Sequence, residues 1–144
     1  MADQRPADDD SIPAEELLYI RIYPGPDSII AVEGGHRPTT GGVKGRDPDE
    51  PLSCDRGSVC TPEQTRDRGT NGNFHVAVIT AEAIRGLGLR ITREPVVNGP
   101  VPNPAHALIY GTRPNIQKNL RGALTGGEYS KIARNARIVL YAPQ

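Results

Sequence analysis

Short apolar segments, each closed by glycine, proline or a polar turn, constrain this fold more than any other feature of the sequence. The clearest is Leu17–Tyr23, in which Leu or Ile occupies every second position, as in a strand with one buried face. Further segments of this kind lie at 74–79, 89–94, 106–110 and 137–142. No apolar run approaches the roughly 18 residues that a membrane-spanning helix needs. The sequence therefore predicts a sheet of short strands and no membrane association.

The material for a core is limited. The 144 residues include one Phe, one Met and no Trp, so Leu, Ile, Val, Ala and a few Tyr must fill the interior. The 16 glycines and 14 prolines interrupt regular structure repeatedly. We predict an α+β fold that has a small mixed or antiparallel sheet, two or three short helices and long Gly/Pro-rich loops.

Three threonines mark the predicted helix starts. Thr61 and Thr125 are each followed three residues later by a side chain that completes a capping box, Gln64 and Glu128 respectively. Thr80 precedes an apolar pattern of about two helical turns. These local signals predict where the helices begin.

The N-terminal segment is acidic and lacks an apolar pattern. Residues 1–16 carry six acidic side chains and one arginine, although the whole chain has 17 acidic and 17 basic residues. Such a segment cannot bury enough apolar surface to offset the entropy lost on ordering. We therefore predict a disordered acidic tail over 1–15 and a single α+β domain over 16–144. The N-terminus also lacks the apolar region of a signal peptide, which predicts a cytoplasmic protein.

The segment 34–60 is polar, rich in glycine and almost without periodicity. Loops of this length in a compact domain are usually functional or disordered, so we predict a long polar loop of one of these two kinds. It contains Cys54 and Cys60, whose separation by five residues is wider than a standard zinc knuckle. A zinc site and a disulfide stay as alternatives, but the spacing favours two reduced thiols and no metal.

Several side chains in this segment could act as a nucleophile: Ser53, Ser58, Cys54 and Cys60. Nucleophilic catalysis also needs a base, and His106 follows a Pro-Asn-Pro turn that could direct its ring into a cleft. No G-x-S-x-G elbow is present. The alternative is that His106 is an ordinary strand residue with one ring nitrogen hydrogen-bonded.

Arg21, Ser53 and Glu63 follow one another in the order arginine, serine, glutamate. Three further candidate binding residues lie between the first two: Arg37, Thr39 and Thr40. This order resembles that of ADP-ribosyltransferase-like and RES-type proteins. The resemblance implies an NAD-handling enzyme in which Arg21 holds the dinucleotide phosphate, Ser53 braces the site and Glu63 steers an oxocarbenium-like centre. The planar guanidinium group of an arginine can donate two parallel hydrogen bonds to the oxygens of a pyrophosphate.

The C-terminal third of the chain is basic. From residue 113 onward one acid, Glu128, faces six cations: Arg113, Lys118, Arg121, Lys131, Arg134 and Arg137. This excess allows a surface that binds nucleic acid or another polyanion, with Lys118, Arg121 and Arg134 as candidate contacts. The alternative is a solvated helix face with basic residues near its end.

Beyond these motifs, residues 17–142 resemble a family of small hypothetical proteins from high-GC bacteria. The segments that carry this resemblance are 37–40, 52–56, 61–63, 76–91 and 103–107. It implies one compact domain and a bacterial source. Our leading hypothesis is an accessory, protein-binding module without a cofactor, in a bacterial multi-component system such as one for defence or toxin control. The alternatives are the NAD-handling enzyme and a weak nucleic-acid binder.

Overall fold

The computed structural model describes residues 5–45, 50–68, 73–115 and 120–143, and for 114, 115, 120 and 121 it describes the backbone alone. In these ranges ten strands and four helices form an α+β domain, so the predicted fold class is confirmed. The strands are β1 (Leu17–Ile22), β2 (Ile29–Val32), β3 (Gly35–Pro38), β4 (Leu52–Arg56), β5 (His75–Thr80), β6 (Arg90–Arg93), β7 (His106–Tyr110), β8 (Arg113–Asn115), β9 (Leu120–Ala123) and β10 (Arg137–Leu140). The helices are α1 (Thr40–Lys44), α2 (Pro62–Asp67), α3 (Ala81–Gly86) and α4 (Gly126–Asn135).

Six strands make the central sheet, in the order β10-β5-β1-β4-β7-β6. Every neighbouring pair is antiparallel. Strands β2 and β3 form a separate hairpin, as do β8 and β9. The sheet is therefore antiparallel rather than mixed, and strand β4, from the segment predicted to be a loop, lies near its centre.

The three predicted helix starts are confirmed. Thr61 and Thr125 each accept a hydrogen bond from the backbone three residues on, and Gln64 and Glu128 complete both capping boxes. Thr80 accepts from the backbone N–H of Ala83 at 3.2 Å. These helices form where expected because capping depends on neighbours in sequence.

Helix α1 is an additional helix, so the described residues contain four rather than the two or three predicted. Thr39 caps it by accepting from the backbone N–H of Gly42 at 3.2 Å, and its hydroxyl donates to the carbonyl of Asp27 at 2.6 Å. A side chain at Gly42 would collide with Ile22 and with the backbone of Ser28, so the close approach requires glycine. The sequence TGGVK contains no apolar periodicity, and therefore it gave no helical signal.

The sheet has two different faces. One, the core face, packs against α3 and α4 through fully buried side chains such as Ile20, Ile84, Ile109 and Ile132. The opposite face, called the site face, carries a smaller apolar cluster around Tyr19 and is partly covered by α2. Successive strand residues alternate between these faces, so the polar residues of the central strands collect on the site face.

The acidic segment differs from the disorder predicted for residues 1–15, because residues 5–15 are packed onto the domain. Ile12 is 1% exposed and belongs to the main core. The backbone N–H of Asp9 donates to the carbonyl of Ile91 at 2.8 Å, and its carboxylate accepts from Arg93 at 2.9 Å. Composition missed this because the partners lie about 80 residues away in sequence. The segment covers the outer edge of β6, which would otherwise present unpaired backbone groups.

Residues 34–60 also differ from the predicted long loop, since they contain β3, α1 and β4. Strand β4 has no simple apolar pattern because one of its faces packs with the core and the other carries polar side chains. Leu52 and Cys54 pack with the core, whereas Ser53 and Asp55 lie on the site face. Within the described residues, no helix is long and apolar enough to cross a membrane.

Candidate functional site

Ser53 and His106 meet on the site face. The register of β4 with β7 pairs Ser53 with Leu108 and Asp55 with His106, so the serine and the histidine are diagonal neighbours on adjacent strands. Ser53 Oγ lies 3.2 Å from His106 Nε2. The other ring nitrogen, Nδ1, lies 2.9 Å from the backbone carbonyl of Glu94. Because a carbonyl can only accept, Nδ1 carries the proton, and in the neutral ring Nε2 accepts from the serine hydroxyl.

The turn before His106 is held by a buried carboxylate. Asp55 is 1% exposed, and its Oδ1 accepts from the Asn103 side-chain amide at 2.9 Å. The Asn103 side-chain oxygen accepts in turn from the backbone N–H of Ala105 at 3.1 Å. The other carboxylate oxygen accepts from Thr65 on α2 at 2.8 Å. The position of His106 is therefore set by a hydrogen-bonded turn, and not by proline stiffness alone.

Arg21 is the third candidate that the fold brings to this region. Its guanidinium lies 5.9 Å from the centre of the Phe74 ring, and Nη1 donates to the carbonyl of Thr65 at 3.4 Å. These contacts orient the guanidinium by cation–π attraction and by a weak hydrogen bond. The remaining donors of the fork have no hydrogen-bond partner among the described residues.

A cleft of about 120 Å³ joins Arg21 to Ser53. Pairing between β1 and β4 stops at Tyr19 with Asp55, although both strands continue beyond that pair, and the cleft opens there. The residues lining it are Arg21, Tyr23, Val43, Lys44, Glu50, Pro51, Leu52, Ser53 and Tyr129. The serine that contacts His106 thus forms part of the wall of a cleft that also contains two cations.

Glu63 does not line this cleft. It is exposed in the first turn of α2, where a carboxylate interacts favourably with the helix dipole. Burial raises the pKa of Tyr19, and the nearby charges of Cys60 and Glu63 add to the effect. Glu63 therefore lies close enough to Tyr19 to affect its pKa. Arg21 and Ser53 line the cleft together, and Glu63 does not join them.

The other candidate binding residues have varied positions. Thr39 is the cap of α1, and Thr40 is that helix's first residue. Arg37 donates to the adjacent carbonyl of Pro38 at 3.0 Å. Arg134 is exposed in the last turn of α4. Two candidates cannot be placed in this way: Lys118 lies outside the described residues, and of Arg121 the backbone alone is described.

Both cysteines are free thiols, and both are buried. Burial raises the pKa of Cys54 far above its usual value, so a reactive thiolate does not form there. Cys60 Sγ lies 3.5 Å from Thr65 Oγ1 and contributes to the cluster under α2. No group of three or more His, Cys, Asp and Glu side chains within the described ranges could hold a metal ion. Ser58 is exposed and its hydroxyl donates to the Glu16 carboxylate at 2.8 Å, so Ser53 is the candidate nucleophile that lies beside a histidine.

Sequence reasoning missed the other seven residues that line the cleft, among them Tyr23, Lys44, Glu50 and Tyr129. They come from four separate stretches of chain, and nothing local connects them. Tyr129 lies on the buried side of α4 and is 2% exposed, so the apolar pattern of that helix alone indicates a core residue. No protein-family model, curated protein or solved structure matches this chain.

Proposed function

We propose that this protein is a small esterase or acyltransferase in which Ser53 is the nucleophile and His106 is its base. The observation that carries the proposal is the contact of 3.2 Å between Ser53 Oγ and His106 Nε2, together with the hydrogen bond that fixes the proton on Nδ1. A serine hydroxyl is a weak nucleophile until an adjacent base removes its proton, and this distance is within range for that transfer. The Glu94 carbonyl orients the ring as the third group of such a set usually does.

The arrangement supports a two-step reaction. Ser53 Oγ attacks the ester carbonyl carbon while its proton passes to His106 Nε2. The tetrahedral intermediate loses the alcohol, which takes that proton from Nε2 as it leaves. Water then attacks the acyl-serine and gives a proton to Nε2, and the released Ser53 oxygen recovers that proton as the carboxylic acid departs. An alcohol or amine in place of water makes the same steps an acyl transfer.

Arg21 can stabilise the negative charge that develops on the substrate's carbonyl oxygen in this reaction. The carbonyl oxygen becomes negative in the tetrahedral intermediate, and Arg21 shares the cleft wall with Ser53. Removal of one preorganised hydrogen-bond donor to such an oxygen typically lowers kcat by about 10²–10³. Contacts with Phe74 and Thr65 hold the Arg21 guanidinium before substrate arrives.

Hydrolysis of 4-nitrophenyl acetate by the purified full chain tests this proposal. We expect Ser53→Ala to abolish turnover and His106→Gln to lower kcat/KM by about 10² or more. Ser130→Ala, a serine on α4 that does not line the cleft, serves as the matched control and should match the wild-type protein. If Ser53→Ala retains the wild-type rate, the proposal is wrong.

An NAD-handling enzyme is a second candidate, favoured by the shared position of Arg21 and Ser53 in one cleft. Glu63 gives it less support because it lies outside that cleft. The test is release of nicotinamide from NAD by the purified protein. If this release occurs and is lost in both Arg21→Ala and Glu63→Ala, the result supports this function over the esterase.

The accessory, protein-binding module remains a prediction. Two features that suggested it, the acidic tail and the polar loop, form folded parts of the domain in their described residues, so they lend it less support than expected. A protein partner and a role in defence or toxin control are likewise predictions. Nucleic-acid binding is also a prediction, and an affinity that falls steeply with added salt would support it.

A further inference from the structure

The cleft beside Ser53 has three charged side chains in its wall among the described residues. They are the cations of Arg21 and Lys44 and the carboxylate of Glu50. Within the described residues, Lys44 makes no hydrogen bond or ion pair. The described part of the wall therefore carries an excess of one positive charge near the nucleophile.

We propose that the substrate of the esterase carries a compact oxyanion, a carboxylate or phosphate group, which binds between Arg21 and Lys44 beside Ser53. The proposal rests on the proposed function for the reaction and names the class of substrate. The guanidinium of Arg21 has five N–H donors, so it can bind such a group while another of its donors faces the ester carbonyl oxygen, and Lys44 adds a point charge.

The volume of the cleft limits what can enter. About 120 Å³ is several times the roughly 10–15 Å³ that a cavity needs to hold one water molecule. That space has room for a carboxylate or a phosphate group. Val43 and Tyr129, each 2% exposed, supply apolar surface at its inner end.

The shape of the wall depends on the end of α1. Gly45 has a φ of 62°, a left-handed conformation that favours glycine, and a side chain there would overlap the ring of Tyr23. The glycine therefore lets the chain place Lys44 and Tyr23 side by side on the cleft wall. This close packing holds the end of the helix against the end of β1.

The carboxylate of Glu50 makes it possible to distinguish binding in this cleft from general attraction to a basic surface. Because it opposes the two cations, removal of its charge should strengthen the binding of an oxyanion, whereas removal of Lys44's charge should weaken it. A general surface attraction would not distinguish Lys44 from another exposed lysine. Lys131 on α4 provides that comparison, since it is exposed and does not line the cleft.

Binding can be measured without turnover. ¹⁵N-labelled Ser53→Ala protein is titrated with inorganic phosphate and, separately, with succinate, while amide resonances are followed by NMR. We expect saturable shifts at residues 43–45, 52 and 53, and the spectrum reports whether each variant is folded. Adding Lys44→Gln should raise Kd about threefold, Glu50→Gln should lower it, and Lys131→Gln should leave it unchanged. Shifts spread over the basic surface, or equal effects of the two lysine variants, would overturn the inference.

Turnover separates this inference from the proposed function. In an active enzyme, the ratio of kcat/KM for mono-(4-nitrophenyl) succinate to that for 4-nitrophenyl acetate should fall about threefold in Lys44→Gln and stay constant in Lys131→Gln. If esterase activity is present but this ratio does not change in Lys44→Gln, the inference is wrong and the esterase stands. If phosphate or succinate binds in the cleft and no ester is hydrolysed, the oxyanion site stands and the esterase is wrong.

Discussion

Asp55 is the residue on which the supporting contacts of the site converge. Its carboxylate accepts hydrogen bonds from Thr65, Asn103 and, at 3.4 Å, from Arg68. It thereby connects α2, the turn before β7 and the central strand β4. At 1% exposure the carboxyl group has lost its contact with water, and these hydrogen bonds replace that contact.

Replacement of this carboxylate should be costly. We expect Asp55→Ala to lower the free energy of unfolding by about 3 kcal/mol, because the buried donors of Thr65 and Asn103 lose their acceptor. Urea denaturation followed by circular dichroism measures the change. Asp67→Ala is the matched control, since that carboxylate is 63% exposed and should change stability by less than about 1 kcal/mol. Equal effects in the two variants would contradict this role for Asp55.

Among the elements, the N-terminal segment has the least expected role. It reaches across to β6 and α3, where Arg85 donates to the Asp8 carboxylate at 2.9 Å and to the carbonyl of Ile12 at 2.8 Å. Ile12 then enters the core between these contacts. The segment thus closes one edge of the sheet and adds apolar contacts to the core.

Truncation of the Ile12 side chain tests whether this packing stabilises the fold. Loss of a fully buried isoleucine side chain typically costs about 2–5 kcal/mol, so Ile12→Ala should lower the free energy of unfolding by an amount in that range. Ile30→Ala is the comparison, because Ile30 is 46% exposed and should have a smaller effect. A tail that is disordered in solution would make Ile12→Ala indistinguishable from wild type.

The attachment of this segment should also depend on pH. Hydrogen bonds from Ser11 and then from Arg93 hold the pKa of Asp9 well below its usual value. The resulting stabilisation is present above about pH 4, the range in which the unfolded carboxyl is ionised, and is lost as pH falls further toward the folded pKa. Asp9→Asn should therefore destabilise the protein at pH 7, and the difference from wild type should narrow below about pH 4. Urea denaturation of both proteins across this range is the measurement, and a difference independent of pH would contradict the account.

At the scale of the whole molecule, the site results from an uneven covering of the sheet. Helices α3 and α4 pack on the core face, while α2 contacts β1, β5 and β10 at one side of the site face. The β4 and β7 strands therefore keep Ser53 and His106 partly exposed. The cleft forms where the β1–β4 ladder stops, which gives a small molecule access to the serine.

Local rules explain which parts of this arrangement could be predicted. The strand around Ile20 and the capped starts of α2, α3 and α4 follow from alternation and from neighbours within three residues. Ser53 and His106 were candidates individually, but their contact depends on the register between strands 53 residues apart. The cleft depends on several such registers together, so Lys44 gave no signal of its place beside the serine.

The most direct measurement is covalent labelling of the serine. The full chain is treated with phenylmethanesulfonyl fluoride, and the adduct is located by mass spectrometry of the intact protein and its peptides. The account predicts one adduct, on Ser53, which is absent in Ser53→Ala and forms much more slowly in His106→Gln. A wild-type protein that is not labelled at Ser53, or that is labelled there at the same rate without His106, would contradict the claim that this pair is a catalytic nucleophile and its base.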